Sequence, residues 1–164
     1  MTVEIVQHVL SIAASLAIIL GVVIGLLQLR YQHSLRQAEI AMRLYSSFGE
    51  ESFVRHYQRV SSWHYPTFAS YREDGTADDF TSLMVVSVFF ESMGLLLKRG
   101  LAPIDLLDDL LSGPVMEAWP QVRPIWVGLR EQNHQPSWAE WFEYFYDEMR
   151  KRTVKPTDAM VSPR

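Results

Sequence analysis

The 25 residues from Ile5 to Leu29 contain no Asp, Glu, Lys or Arg. A helix crosses the hydrocarbon of a bilayer in about 20 residues, so the run is long enough to span. Its polar side chains, Gln7, His8 and Gln28, sit near its ends, where they can reach the interface. A secretory leader would open on a cationic segment and carry a shorter apolar stretch. This chain opens Met-Thr-Val-Glu, and its first cations, Arg30, Arg36 and Arg43, follow the run. Lys and Arg flank the cytoplasmic side of a membrane helix. The sequence therefore predicts a retained transmembrane anchor over residues 1–29, with the N-terminus outside and the rest of the chain cytoplasmic.

Within the anchor, Ala13, Ala17, Gly21 and Gly25 recur at four-residue spacing. Small residues at that spacing let two helix backbones approach closely in a membrane, so this face is the candidate surface for self-association or for pairing with another membrane protein's helix. No helix breaker occurs until Gly49, and the anchor is expected to continue as a juxtamembrane helix over residues 30–49. Tyr31, Leu35, Ala38, Met42 and Tyr45 form a short seam on it. Two heptads fit a coiled coil between chains and equally a helix docked on its own domain.

Residues 50–153 read as an all-α domain of about five helices. EESFVRHYQRVSSW places Phe53, Tyr57 and Val60 on one face. The stretch WHYPTFASYREDGTA reads as a long connection ordered by Trp63, Tyr65, Phe68 and Tyr71. A helix of roughly 79–99 is apolar nearly all round and closes on Lys98, Arg99 and Gly100. With only 15 residues from Leu83 to Leu97 and Glu91 among them, it suits a buried central helix better than a second crossing. A short helix, IDLLDDLL, is expected to end at Gly113-Pro114. In the next segment Pro120 and Pro124 should kink or interrupt, since each lacks an amide hydrogen. From Ser137, Trp138, Trp141, Phe142, Phe145 and Met149 recur as a final core-covering stripe. Residues 154–164 have no periodic pattern and read as a loose tail.

Composition narrows the chemistry. The chain has no cysteine, which excludes disulfides, thiolate metal sites and a cysteine nucleophile. All 15 Lys and Arg lie from Arg30 onward, whereas of 19 Asp and Glu only Glu4 precedes it. That leaves 18 acids against 15 bases there, no footing for nucleic acid. Arg150, Lys151, Arg152 and Lys155 form a cationic run that suits a helix C-terminus in solvent, with anionic lipid or an acidic partner as its other use. No two of the five histidines lie at ligand spacing on one helix face, and no glycine-rich phosphate loop or nucleophile elbow occurs. No cofactor, metal or catalytic constellation is expected.

Glu91 is the polar residue that most needs an explanation, because a carboxylate on an apolar helix must find a partner or remain protonated. Arg130 is its expected partner in a buried ion pair, with Arg123 as the second choice. Such pairs more often fix helices than catalyse.

The stretch from FFESMGLLLKRGL through WPQVRPIWVGLRE, taken with the anchor and the final aromatic helix, resembles a bacterial family known as domain of unknown function 4760. The matching positions are Phe89, Phe90, Glu91, Gly94, Gly100, Leu101, Trp119, Pro124 and Arg130. The resemblance implies an N-terminal hydrophobic helix joined to a small helical domain, in a bacterial inner membrane, and no established activity. The leading functional expectation is a non-enzymatic, membrane-tethered interaction module, an accessory or scaffold subunit or a homo-oligomer. The alternative is a membrane-anchored enzyme or small-ligand sensor with its site near Glu91 and the 63–78 loop.

Overall fold

The structure is a computed structural model that describes residues 2–153, without the side chains of residues 2–7, 9–15, 33, 34, 36–38, 40, 41 and 44. The expected loose tail, 154–164, and the Ala13 side chain lie outside the described residues. Six helices and no strand occur among those described: α1 (Thr2–Phe48), α2 (Glu51–Ser61), α3 (Phe68–Asp74), α4 (Ala77–Lys98), α5 (Ile104–Asn133) and α6 (Glu140–Thr153). Two compact units are present, Met1–Glu39 and Ile40–Arg164.

In the first unit, the large apolar side chains from Leu16 to Leu29 are 46–68% exposed. Leu16–Gln32 is a short apolar stretch of this helix. Of the juxtamembrane seam, Tyr31 and Leu35 in this unit and Met42 in the second are exposed.

The second unit is built around α4. Leu83, Val86, Phe90 and Met93 are fully buried, and α4 packs most extensively against α6, then against α2 and α5. Among the described residues it is the one helix long and apolar enough to cross a membrane by length and composition. Its packing is nevertheless that of a core helix. Gly94 explains how closely α6 lies on it: a Cβ built there would fall 1.9 Å from the Trp141 carbonyl oxygen. The end of α1 joins this core through Tyr45 and Phe48, Phe48 meeting the Phe53, Tyr57 and Phe89 rings at 5.1–5.5 Å. The Tyr45 end of the seam thus docks on its own domain.

Local signals set the helix ends. At Thr76 a capping box closes α4: Thr76 Oγ1 accepts from the Asp79 amide while the Asp79 carboxylate accepts from the Thr76 amide at 2.9 Å. At the other end Gly100 adopts φ 64°, and the amides of Leu101 and Gly100 donate back to Leu96 and Leu97. This is a Schellman close, for which glycine is the residue without a steric penalty.

Three expectations are corrected. The 63–78 connection is not a loop throughout, because Thr67 and Ser70 form a reciprocal cap that starts α3. Gly128 lets this helix meet α5, since a Cβ there would lie 2.2–2.4 Å from the Phe68 side chain. Neither does α5 stop at Pro114 or break at Pro120 and Pro124, for one helix runs through all three. The prolines leave the carbonyls of Leu110, Met116 and Pro120 without their usual donors. Pro120 is exposed and Pro114 and Pro124 half-buried, while Leu107, Leu111, Val115, Trp119, Val122 and Ile125 stay buried. Finally, Trp138 precedes α6 rather than opening it; Ala139, with φ 56°, turns the chain into the helix.

Candidate functional site

Glu91 lies on α4 opposite the start of α6, and its carboxylate accepts from the Phe142 amide at 2.8 Å. It closes the N-terminus of α6 from another helix, where Ala139 offers no side-chain cap. The expected ion pair with Arg130 is not formed. Arg130 instead donates to a Glu143 carboxylate oxygen at 2.7 Å and to the Trp138 carbonyl at 2.6 Å. The reason is register: Arg130 sits near the end of α5 beside the 134–139 turn, and Glu143, one turn into α6, reaches it. Arg123 is exposed. Burial pushes the Glu91 pKa up, and the amides of Phe142 and Trp141 oppose that rise. Replacing Glu91 by Ala should cost about 1–2 kcal/mol, since it strips a cap from α6 and leaves buried amides unpaired. Gln keeps the acceptor and should stay within about 1 kcal/mol of wild type; equilibrium urea unfolding of both variants checks the difference.

The same carboxylate lines a groove of about 540 Å³ between α4, the end of α5 and the turn before α6. Its walls are mostly apolar and aromatic, with Phe80, Met84 and Val88 from α4, Trp126 and Leu129 from α5, and Trp138 from the turn. Phe80, Met84, Val88 and Trp138 are 52%, 37%, 58% and 39% exposed. Trp126 is held in place by its indole N–H, which donates to Ser87 Oγ at 2.9 Å. The 63–78 segment contributes nothing to this lining, so the two halves of the expected site are separate.

What the 63–78 segment does build is a polar hub on Asp79, which the sequence marked only as a helix start. Asp79 is 4% exposed. It accepts from Arg59 Nε at 2.7 Å, Thr76 Oγ1 at 2.7 Å, the Thr76 amide at 2.9 Å, Tyr65 OH at 3.1 Å and Trp63 Nε1 at 3.2 Å. Burial alone would raise its pKa; the bonds from Arg59, Thr76 and Tyr65 outweigh burial and hold the carboxyl well below its ordinary range. Around it Trp63, Tyr65 and Tyr71 pack ring to ring at 5.3–5.9 Å, and burial pushes the Tyr71 phenol up to about 12. The Thr76-x-x-Asp79 spacing could have disclosed the cap, but no periodicity could have disclosed three further donors from α2 and the connection.

The remaining candidates are internal fastenings. His56 Nδ1 lies 3.0 Å from Ser82 Oγ, a Ser-His contact in which the serine is fully buried and donates to the Asp78 carbonyl, out of reach of a substrate. Among the described residues no group of three or more His, Cys, Asp or Glu could hold a metal ion. In the cationic run, Arg150 pairs with Asp147, Lys151 with Glu148, and Arg152 with Asp105 and Asp108 at the start of α5. Trp63 and Trp126 are buried. In the N-terminal face, Ala17 is exposed and a Cβ built at Gly21 or Gly25 meets nothing within 4 Å.

These features define a small all-α domain, wrapped round one apolar helix and pinned by a buried carboxylate, Asp79, and a half-buried one, Glu91, with an apolar helical segment ahead of it. The chain belongs to the family described as Domain of unknown function (DUF4760), which matches residues 15–149. No curated protein and no solved structure matches it.

Proposed function

We propose that the chain is a membrane-tethered helical interaction module. Residues 1–29 anchor it in a bacterial inner membrane with the N-terminus outside, and the helical domain acts in the cytoplasm through protein contacts, as an accessory or scaffold subunit or as a homo-oligomer. The observation that carries the reading is the charge-free helix whose large side chains from Leu16 to Leu29 are exposed. In water that surface would be costly, and lipid removes the cost. Ala17, Gly21 and Gly25, with Ala13, supply the face for a partner helix or a second copy. Among the described residues, a Cβ added at Gly21 or Gly25 has open space around it.

Two measurements test the reading. The native chain lacks cysteine, so Thr2→Cys and Glu50→Cys report orientation cleanly. An impermeant maleimide applied to intact spheroplasts should label the first and not the second, and carbonate-washed membranes should retain both. Reversed labelling, or release by carbonate, would refute the placement. For assembly, native mass measurement in mild detergent is expected to find a complex that Gly21→Ile and Gly25→Ile dissociate. A monomer unaffected by both substitutions would remove the interaction role.

The second reading, a membrane-anchored enzyme or small-ligand sensor, draws support from the half-buried carboxyl of Glu91 on the groove.

A further inference from the structure

The groove beside Glu91 has a definite chemical character. At about 540 Å³ it falls in the range of small-molecule sites, about 300–1,000 Å³. Glu91 is its one charged lining residue. Arg130, the nearest cation in sequence to that wall, does not line the groove: its Nε and Nη1 donate to the Trp138 carbonyl and to Glu143, and its Nη2 is buried away from it without a partner among the described residues. Leu129, Gln132 and Asn133 place the last turn of α5 against the groove, and a helix C-terminus presents carbonyls and partial negative charge. The indoles of Trp126 and Trp138 stand 6.3 Å apart at 84°, two perpendicular aromatic walls, with Trp126 fixed by Ser87. Indole faces attract cations, and organic ammonium groups are recognised by aromatic walls of this kind. An anion would meet a carboxylate and a helix C-terminus of its own sign; a neutral apolar molecule would desolvate Glu91 without compensation.

We propose that this groove binds an organic ammonium compound with an apolar tail. The ammonium is held by Glu91 and the indoles of Trp126 and Trp138, and the tail lies on Met84, Val88 and Leu129. The ammonium can come from a free amphipathic amine or from a lipid headgroup. This site stands independently of the tether: insertion and labelling test residues 1–29, whereas binding here depends on α4, α5 and the 134–139 turn.

The test uses the full chain in an uncharged maltoside detergent. The probe is phenylpropyltrimethylammonium, compared with its uncharged tert-butyl isostere and with phenylbutyrate, by calorimetric titration and tryptophan fluorescence. The ammonium is expected to bind about tenfold or more tighter than either comparison compound, the difference a desolvated cation on indole and carboxylate supplies. Glu91→Gln should reduce that preference at least about fivefold. Val88→Arg, at a position 58% exposed and so outside the core, puts a fixed cation in the groove and should abolish ammonium binding while helicity is unchanged. If added phosphatidylethanolamine competes with the probe and phosphatidylglycerol does not, the source is the headgroup; if neither competes, it is a free amine. Equal affinity for the three compounds, no binding of the ammonium, or binding unaltered by both substitutions would overturn the proposal.

Discussion

Gly94→Ala is expected to destabilise the domain by about 3 kcal/mol or more, at the upper end of what overpacking a core costs. The reason is the identity of the obstructing atom. The added methyl would lie 1.9 Å from the Trp141 carbonyl oxygen and 2.6 Å from its carbonyl carbon, which are backbone atoms and cannot rotate aside. Accommodation would require α6 to move off α4, and α6 carries Phe142, Phe145 and Met149, all fully buried. It would also draw the Phe142 amide away from Glu91. Gly49, where a Cβ would meet only the Ser46 carbonyl oxygen at an ordinary 3.6 Å, is the control. Gly49→Ala should be neutral or stabilising by up to about 1 kcal/mol, because glycine gives the unfolded chain more freedom to lose. Thermal and urea unfolding of the two variants gives the contrast directly, and equal losses would contradict the close α4–α6 contact.

Asp79→Ala should cost about 2–3 kcal/mol, from the lost cap of α4 and the buried Trp63 N–H left without an acceptor, while Arg59, 41% exposed, can turn to solvent. Arg59, Trp63 and Tyr65 would lose their common acceptor together, and the cap of α4 would go with them. Asp79→Asn should recover part of the loss, since an amide oxygen still accepts, though it offers one acceptor atom where the carboxylate offers two. The pH dependence follows from the direction of the shift. The folded-state pKa lies below the ordinary 3.8, so the stabilisation is fully present above that value and is lost as pH falls below it. Glu91 has the opposite sign: with its pKa raised above 4.5, its contribution is complete at lower pH and diminishes as pH rises through the raised value. Wild-type unfolding measured from pH 6 down to about pH 2 should therefore show an acid-side loss that Asp79→Asn flattens and Glu91→Gln leaves in place.

Much of the domain was legible in its sequence because the signals were local. The Lys98-Arg99-Gly100 stop, the apolar run of α4 and the Phe53–Val60 face of α2 each depend on neighbouring residues, and each appears where periodicity puts it. The count of helices after α1 agrees with expectation for a less satisfactory reason. Two expected helices merge into α5, and an unforeseen one, α3, appears in the connection. Proline rules describe what a free chain prefers, and α5 lies in a field of buried contacts that overrides them. Thr67-x-x-Ser70 uses serine where glutamate or glutamine would be the more readable partner, so α3 carried a weak signal. The Glu91 partner was missed because it is a backbone amide. A sequence shows which side chains carry charge, but not which helix will arrive with uncapped N–H groups. Nor could spacing show that Trp126, on α5, and Trp138, in the turn that follows, would meet across one groove.

The three prolines of α5 also make its helicity depend on its packing. Each proline in a helix interior is unfavourable by about 3 kcal/mol relative to alanine. A free segment of residues 104–133 would therefore not hold a helix, whereas α4 has no such interruption. In the folded domain the three prolines are offset by burial of Leu107, Leu111, Val115, Trp119, Val122 and Ile125 on one face of α5. The wall of the groove that Trp126 and Leu129 provide therefore stands only while that packing holds.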